Sequence, residues 1–134
     1  MTSIVVKMKS EAKNTLASQF VEFLLSELAI TPTKIGIASS DLSEANCLGM
    51  CLDCVEGDNT FLILVDEKDR NLTDTFVTIA HEMVHVKQHM NENLGWFLDN
   101  RSDIPYKSRW WEIEAFEKSV EYVKKFAEII KKCT

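Results

Sequence analysis

The chain has 134 residues, of which 46% are hydrophobic and 27% charged, and its net charge is −6. This composition favours one folded domain over residues 1–134 and argues against a disordered or fibrous protein. The negative charge makes binding to nucleic-acid phosphates unlikely. No secretory leader or membrane-spanning run is evident, so we expect a cytoplasmic protein with free thiols and no membrane association.

Hydrophobic periodicity predicts six segments of regular structure. In chain order they are a helix over residues 10–30, strands over 34–38, 45–56 and 60–66, a helix from 73 or 74 to about 90, and a helix over about 108–132. Ser10 is the expected first N-cap, and Thr73 or Asp74 the second. Glu56–Asn59 is expected to form a hairpin turn, and the residues around Gly95 and Pro105 a loop. This order predicts an α+β fold with a three-stranded, mostly antiparallel sheet.

The segment HEMVHVKQH, residues 81–89, contains all three histidines of the chain. His81 and His85 are four residues apart in a predicted helix, so both imidazoles can bind one metal ion. Glu82 lies one step round that helix, where it can act as general base on a zinc-bound water that attacks a polarised carbonyl. His89 lies about 12 Å from His81 along the helix axis and cannot share the same ion.

A catalytic zinc usually has three protein ligands, so the sequence must supply one more. Helical phase groups Glu112 with apolar residues of the last helix, namely Phe116, Val120, Val123, Ala127 and Ile130. Glu114 falls on the opposite, solvent-facing side. A carboxylate on a buried face must be paired or bound to metal, so Glu112 is the predicted third ligand. The alternative for Glu112 is a salt bridge to Arg101 or Arg109.

The segment TIAHEMVHVKQ, followed about 25 residues later by WWEIEAFEK, resembles the small SprT-like zinc metallopeptidases of phages, large viruses and bacteria, and gluzincins generally. The resemblance covers roughly residues 60–125. It implies a minimal zincin-like core and a third ligand from the later helix, again Glu112. Many gluzincins have an aspartate four residues after that glutamate, where this chain has Phe116. Zinc hydrolases of this kind bind an extended peptide along an edge strand, which the resemblance puts near Thr60–Asp66.

A hydrolase of this type needs a donor for the developing oxyanion, and Tyr106 is the candidate. The alternative is that Tyr106 packs against Trp110 or Trp111. A catalytically silent zinc-binding interaction module is the alternative function, with an exposed aromatic surface. That surface would comprise Trp96, Phe97, Trp110 and Trp111.

The spacing of Cys47, Cys51 and Cys54 matches that of an iron–sulfur cluster in radical enzymes. Strand alternation places Cys54 on the face opposite the other two, which argues against such a cluster. The cysteines, including Cys133, are therefore expected to be buried free thiols. A redox protein built on them is the third functional alternative.

Overall fold

The computed structural model describes residues 1–55 and 57–133. Its strands are β1 (Ser3–Lys7), β2 (Lys34–Ser39), β3 (Gly49–Val55) and β4 (Thr60–Val65). Its helices are α1 (Glu11–Leu28), α2 (Leu72–Asn91), α3 (Leu94–Asn100) and α4 (Trp110–Cys133), with a 3-10 turn over Tyr106–Ser108. The predicted α+β class is confirmed. Within the described residues, no helix combines the length and apolarity needed to cross a bilayer.

The four strands form one mixed sheet in the order β1-β2-β4-β3. Strand β2 is parallel to both β1 and β4, whereas β3 is antiparallel to β4. The prediction of three mostly antiparallel strands is therefore wrong, because β1 was not recognised and α1 carries the chain over to a parallel neighbour. Strand β4 has a partner on each side, so Thr60–Asp66 is not an edge. The edge strand nearest α2 is β3.

Several element boundaries also differ from the prediction. Ser10 caps α1 as expected, but Asn71 caps α2, accepting a hydrogen bond from the Asp74 N–H at 2.8 Å. Helix α3 forms where a loop was predicted. The hairpin turn is present at residues 57–59, with Gly57 at φ 88°, whereas Glu56 lies outside the described residues.

Helix α2 lies between the sheet and α4, and this position explains why most of its side chains are buried. Alternate residues of β2 and β4, such as Ile35 and Ile63, are fully buried in the core. A phenylalanine cluster joins the three long helices, with ring centroids 4.7 to 6.4 Å apart. Its members are Phe20 and Phe23 of α1, Phe76 of α2 and Phe126 of α4. This packing holds α2 against both α1 and α4.

Candidate metal centre

Three side chains from two helices converge where α2 faces α4. Glu112 Oε1 lies 2.9 Å from His81 Nε2 and 3.2 Å from His85 Nε2. One donor atom from each of the three residues lies within 4.8 Å of the other two. The residues chosen from the sequence as metal ligands are therefore brought together, His81 and His85 by their four-residue spacing on α2 and Glu112 by the start of α4.

The donor set fits a zinc ion. Two imidazole nitrogens and a carboxylate oxygen are typical ligands of a catalytic zinc. Two of the three donor separations, 2.9 and 3.2 Å, are close to the roughly 3.3 Å between donors when bonds of about 2.05 Å meet at the tetrahedral angle, and all three donor atoms lie within 4.8 Å of one another. Each of the three side chains is between 9% and 14% exposed, so the centre is shielded yet open on one side.

Glu112 is held by its partners in the ionised form. Burial alone would raise its pKa, but the hydrogen bonds to His81 and His85 outweigh burial and hold the pKa of the Glu112 carboxyl well below its ordinary value. The alternative salt bridges do not form. Arg101 pairs with Asp103, and the Arg109 guanidinium donates to backbone carbonyls.

The helical-phase argument that selected Glu112 is wrong in detail. Phe116 and Val120 are 54% and 45% exposed. The buried stripe of α4 is one position earlier and consists of Trp111, Ala115, Ser119 and Phe126. Glu112 lies at the edge of this stripe, next to the fully buried Trp111. From this position its carboxylate contacts His81 and His85. The side chain of Phe116 packs edge-on against His81, with ring centroids 4.6 Å apart.

Gln88, which sequence reasoning did not assign, positions His85. Its Oε1 lies 2.7 Å from His85 Nδ1, and its Nε2 donates to the Trp111 carbonyl at 3.0 Å and to Glu114 Oε1 at 3.1 Å. Gln88 is fully buried. Because Gln88 Oε1 can only accept, His85 Nδ1 carries the proton of this bond, which leaves Nε2, the nitrogen facing Glu112, as the one that a metal ion would bind. A polar residue three positions after a ligand, on a buried helix face, is the sequence signal that could have identified it.

Glu114 is thus not simply a solvent-facing charge. It is half-buried and its carboxylate accepts the hydrogen bond from Gln88, two steps away from the metal ligands.

Glu82 lies beside the metal-ligand group and is 6% exposed. Burial raises the pKa of Glu82, while the neighbouring histidines lower it by a smaller amount. Strand β3 approaches this side chain at Gly49. A Cβ atom built on Gly49 would lie 2.5 Å from Thr78 Cγ2 and 3.2 Å from Glu82 Cγ, so only glycine permits this contact between strand and helix.

Tyr106 lies in the 3-10 turn before α4 and is 50% exposed. Its hydroxyl donates to Glu112 Oε1 at 3.2 Å. Burial, then the charge of Glu112, raise the pKa of Tyr106 to about 12, so this hydroxyl keeps its proton at neutral pH. Its ring faces Phe116 and Arg109 rather than the tryptophans that the alternative named.

A cavity of about 510 Å³ opens beside the centre. Its walls come from the segment that leads into β3, from the first half of α2, and from Tyr106 and Phe116. His81 and Glu82 both line it, as does Arg70. Glu82, one of the three candidate metal ligands (His81) and the Tyr106 hydroxyl therefore share one cleft.

His89 is outside the group, as predicted from helix length. It is half-buried against the Phe61 ring, with centroids 5.8 Å apart. Burial lowers the pKa of its imidazole, which favours the neutral form.

The four cysteines are free thiols as predicted, but the prediction that they are buried is wrong. Cys47 and Cys51 are half-buried, whereas Cys54 and Cys133 are exposed. Among the described residues, no cysteine belongs to a group that could hold a metal. The proposed aromatic surface also changes, because Trp111 is 1% exposed while Trp96 is 48% exposed.

Comparisons of this chain with protein-family models, with curated proteins and with solved structures found no match.

Proposed function

We propose that this protein is a zinc-dependent hydrolase, most simply a metallopeptidase of the gluzincin or SprT-like kind. The observation that carries the proposal is the convergence of His81, His85 and Glu112, with Glu82 in the adjoining cleft. A zinc ion held there would polarise a substrate carbonyl and make a water molecule more acidic. Cytoplasmic action is part of the proposal, since four cysteines in no disulfide suit a reducing compartment.

The residues of the chain have separate roles in this proposal. Glu82 takes a proton from the attacking water and returns it to the leaving amine, and its raised pKa suits a group that must do both. Tyr106 retains its phenolic proton and would donate it in a hydrogen bond to the developing oxyanion, in place of Glu112 Oε1, which is its acceptor in this structure. Gln88 keeps His85 in the tautomer that leaves Nε2 free.

Strand β3 gives the substrate a binding surface. It is the edge of the sheet next to α2, and its residues from Leu52 to Val55 are exposed. An extended peptide can add to such an edge through backbone hydrogen bonds. We therefore move the proposed peptide site from Thr60–Asp66 to β3 and the cleft beside Gly49.

The test combines metal content with cleavage. Purified wild-type protein should carry about one zinc per chain by mass spectrometry and cleave members of a broad peptide library. Glu82→Gln should retain the zinc while its rate falls by roughly 10²- to 10⁴-fold.

Two matched variants test the ligand assignment. Glu112→Ala should lose the zinc, whereas Glu114→Ala should retain it, because Glu114 reaches the centre only through Gln88. Loss of zinc in Glu114→Ala alone would overturn the assignment. Zinc binding without cleavage of any peptide would instead favour the catalytically silent interaction module.

A further inference from the structure

Arg70 carries a positive charge at the wall of the candidate cleft. It precedes α2 and lines the same cavity as His81 and Glu82. Among the described residues that line this cavity, it is the one lysine or arginine. A cation in this position acts on whatever occupies the cleft, since its charge is partly shielded from water.

Neutral oxygens fix the guanidinium in place. Arg70 Nη1 donates to the Asp66 carbonyl at 3.1 Å, and Nη2 donates to the Asp74 carbonyl at 2.8 Å and to Thr78 Oγ1 at 2.6 Å. Within the described part of the chain, no carboxylate forms an ion pair with it. The side chain is therefore oriented before any ligand binds, and its charge is not neutralised by the protein.

The positions of Thr78 and Glu82 on α2 give an approximate distance between Arg70 and Glu82. Thr78, which accepts from Arg70, lies one turn before Glu82, or about 6 Å along the helix axis. An extended peptide advances about 3.3 Å per residue. For a peptide that runs parallel to α2, an anionic group bound at Arg70 would thus lie about two residues from the bond beside Glu82 and the proposed metal ligands.

We propose that Arg70 determines the substrate specificity of this cleft by binding a carboxylate within about two residues of the cleaved peptide bond. The inference rests on the proposed function. Three of the five guanidinium N–H groups are already donated, so a carboxylate would accept a charge-assisted hydrogen bond from the remaining Nε–H or Nη1–H. A single cation suits one carboxylate better than a phosphate chain, which usually meets several basic side chains. The carboxylate belongs either to an aspartate or glutamate side chain or to the C-terminus of the peptide.

The experiment uses zinc-loaded full-length protein and matched quenched peptides. One set carries Glu or Gln at each of the two positions on either side of the bond, and another pairs a free C-terminal acid with its amide. The ratio of kcat/KM between the members of a pair should favour the acidic member by roughly 10- to 100-fold. A preference for the acidic member in the first set would show that Arg70 binds a side-chain carboxylate. A preference in the second set would show that it binds the C-terminal carboxylate. Ratios near one in both sets would overturn the proposal.

Two substitutions test whether Arg70 produces this ratio. Arg70→Gln should bring the ratio close to one, and Arg70→Glu should reverse it in favour of a lysine-containing peptide. A reversed preference cannot result from misfolding. Arg101→Gln is the matched control, because Arg101 pairs with Asp103 on an exposed loop and should leave the ratio unchanged. Retention of the acidic preference by both Arg70 variants would contradict the assignment.

Failure of the proposed function is distinguishable from failure of this inference. If wild-type protein cleaves an acidic and a neutral peptide equally, the hydrolase proposal holds and the role of Arg70 does not. If it cleaves nothing, the same peptides can be compared by fluorescence anisotropy with the zinc-loaded protein. Tighter binding of the acidic member, lost in Arg70→Gln, would support the inference. Equal or undetectable binding of both members would overturn it.

Discussion

Glu67 and Glu112 are both largely buried carboxylates whose pKa values are lowered, yet their partners differ in kind. Glu67 accepts the backbone N–H of Lys9 at 3.0 Å and the Lys13 ammonium at 3.1 Å. These bonds tie the start of α1 to the chain just after β4. The bonds to Glu112 come from two imidazoles and a phenol at the wall of a cleft. A lowered pKa is common to both, so it is the chemistry of the partners that distinguishes a structural carboxylate from a candidate ligand.

The first prediction exchanges each of these carboxylates for an amide. Glu112→Gln should weaken zinc affinity by well over the roughly 100-fold upper range for residues outside the ligand set. Glu67→Gln should leave zinc affinity nearly unchanged but lower the free energy of unfolding by about 1.5–3 kcal/mol, because a buried charged hydrogen bond is weakened. Competition with a chelating dye measures the first effect and urea titration the second. Similar zinc affinities in the two variants would contradict the assignment of Glu112 as a ligand and of Glu67 as a structural carboxylate.

The second prediction concerns the support of the ligand group. Gln88→Leu should lower zinc affinity by roughly 10- to 100-fold, because His85 loses the partner that fixes its tautomer. Gln88→Glu keeps an acceptor for His85 and should recover part of the affinity. A metal titration of the three proteins measures this series. Equal affinity in wild type and Gln88→Leu would show that Gln88 serves packing alone.

The third prediction tests the close contact between β3 and α2. Gly49→Ala should lower stability by about 1–3 kcal/mol through overpacking against Thr78. It should also lower the hydrolytic rate more than the loss of folded protein explains, because Glu82 must shift. Gly95→Ala is the control, since a Cβ there meets nothing within 4 Å, and it should be neutral or slightly stabilising. Thermal melts and peptide assays on both variants measure these effects.

The fourth prediction is the smallest and concerns acid stability. Bonds from the N–H groups of Lys68 and Leu42 hold the pKa of Asp66 below its ordinary value. Burial raises the pKa of Glu67, but the bonds from the Lys9 N–H and the Lys13 ammonium help to outweigh it and hold that pKa below its ordinary value. A lowered folded-state pKa stabilises the protein fully above the unfolded-state value, and the stability is lost as pH falls through the folded-state value.

Unfolding measured in the presence of a chelator, from pH 6 downward, should therefore show stability falling from about pH 4.5 toward lower pH. The double variant Asp66→Asn, Glu67→Gln should show a flatter curve over the same range. If the stability of the double variant depended on pH as steeply as that of the wild type, other groups would control the loss of stability in acid.

The sequence allowed the ligand group to be predicted because its main elements are local. His81, Glu82 and His85 occupy one helix, and their spacing alone places them together. Glu112 required tertiary information, and it was chosen through a helical phase that turned out one residue off. The large apolar side chains of Phe116 and Val120 indicated that their side of α4 is buried. The side that is buried includes the small residues Ala115 and Ser119, which contribute little to a hydrophobic pattern.

Features that depend on non-local pairing were not predictable in the same way. Strand β1 is a five-residue run whose partner, β2, lies about 30 residues later, so nothing local identifies it as part of the sheet. Without β1 the parallel arrangement could not be inferred, and β4 was assigned to an edge that belongs to β3. The role of Arg70 also depends on tertiary structure, because its neighbours in sequence do not indicate that it lines the cleft.

The phenylalanine cluster has a consequence for the order in which the molecule is assembled during synthesis. Phe20 and Phe126 are in contact although 106 residues separate them, so this part of the core closes only after most of α4 has left the ribosome. The same helix supplies Glu112. A nascent chain would thus carry His81 and His85 for some time without their third partner, and the candidate metal centre would form only once α4 has been synthesised.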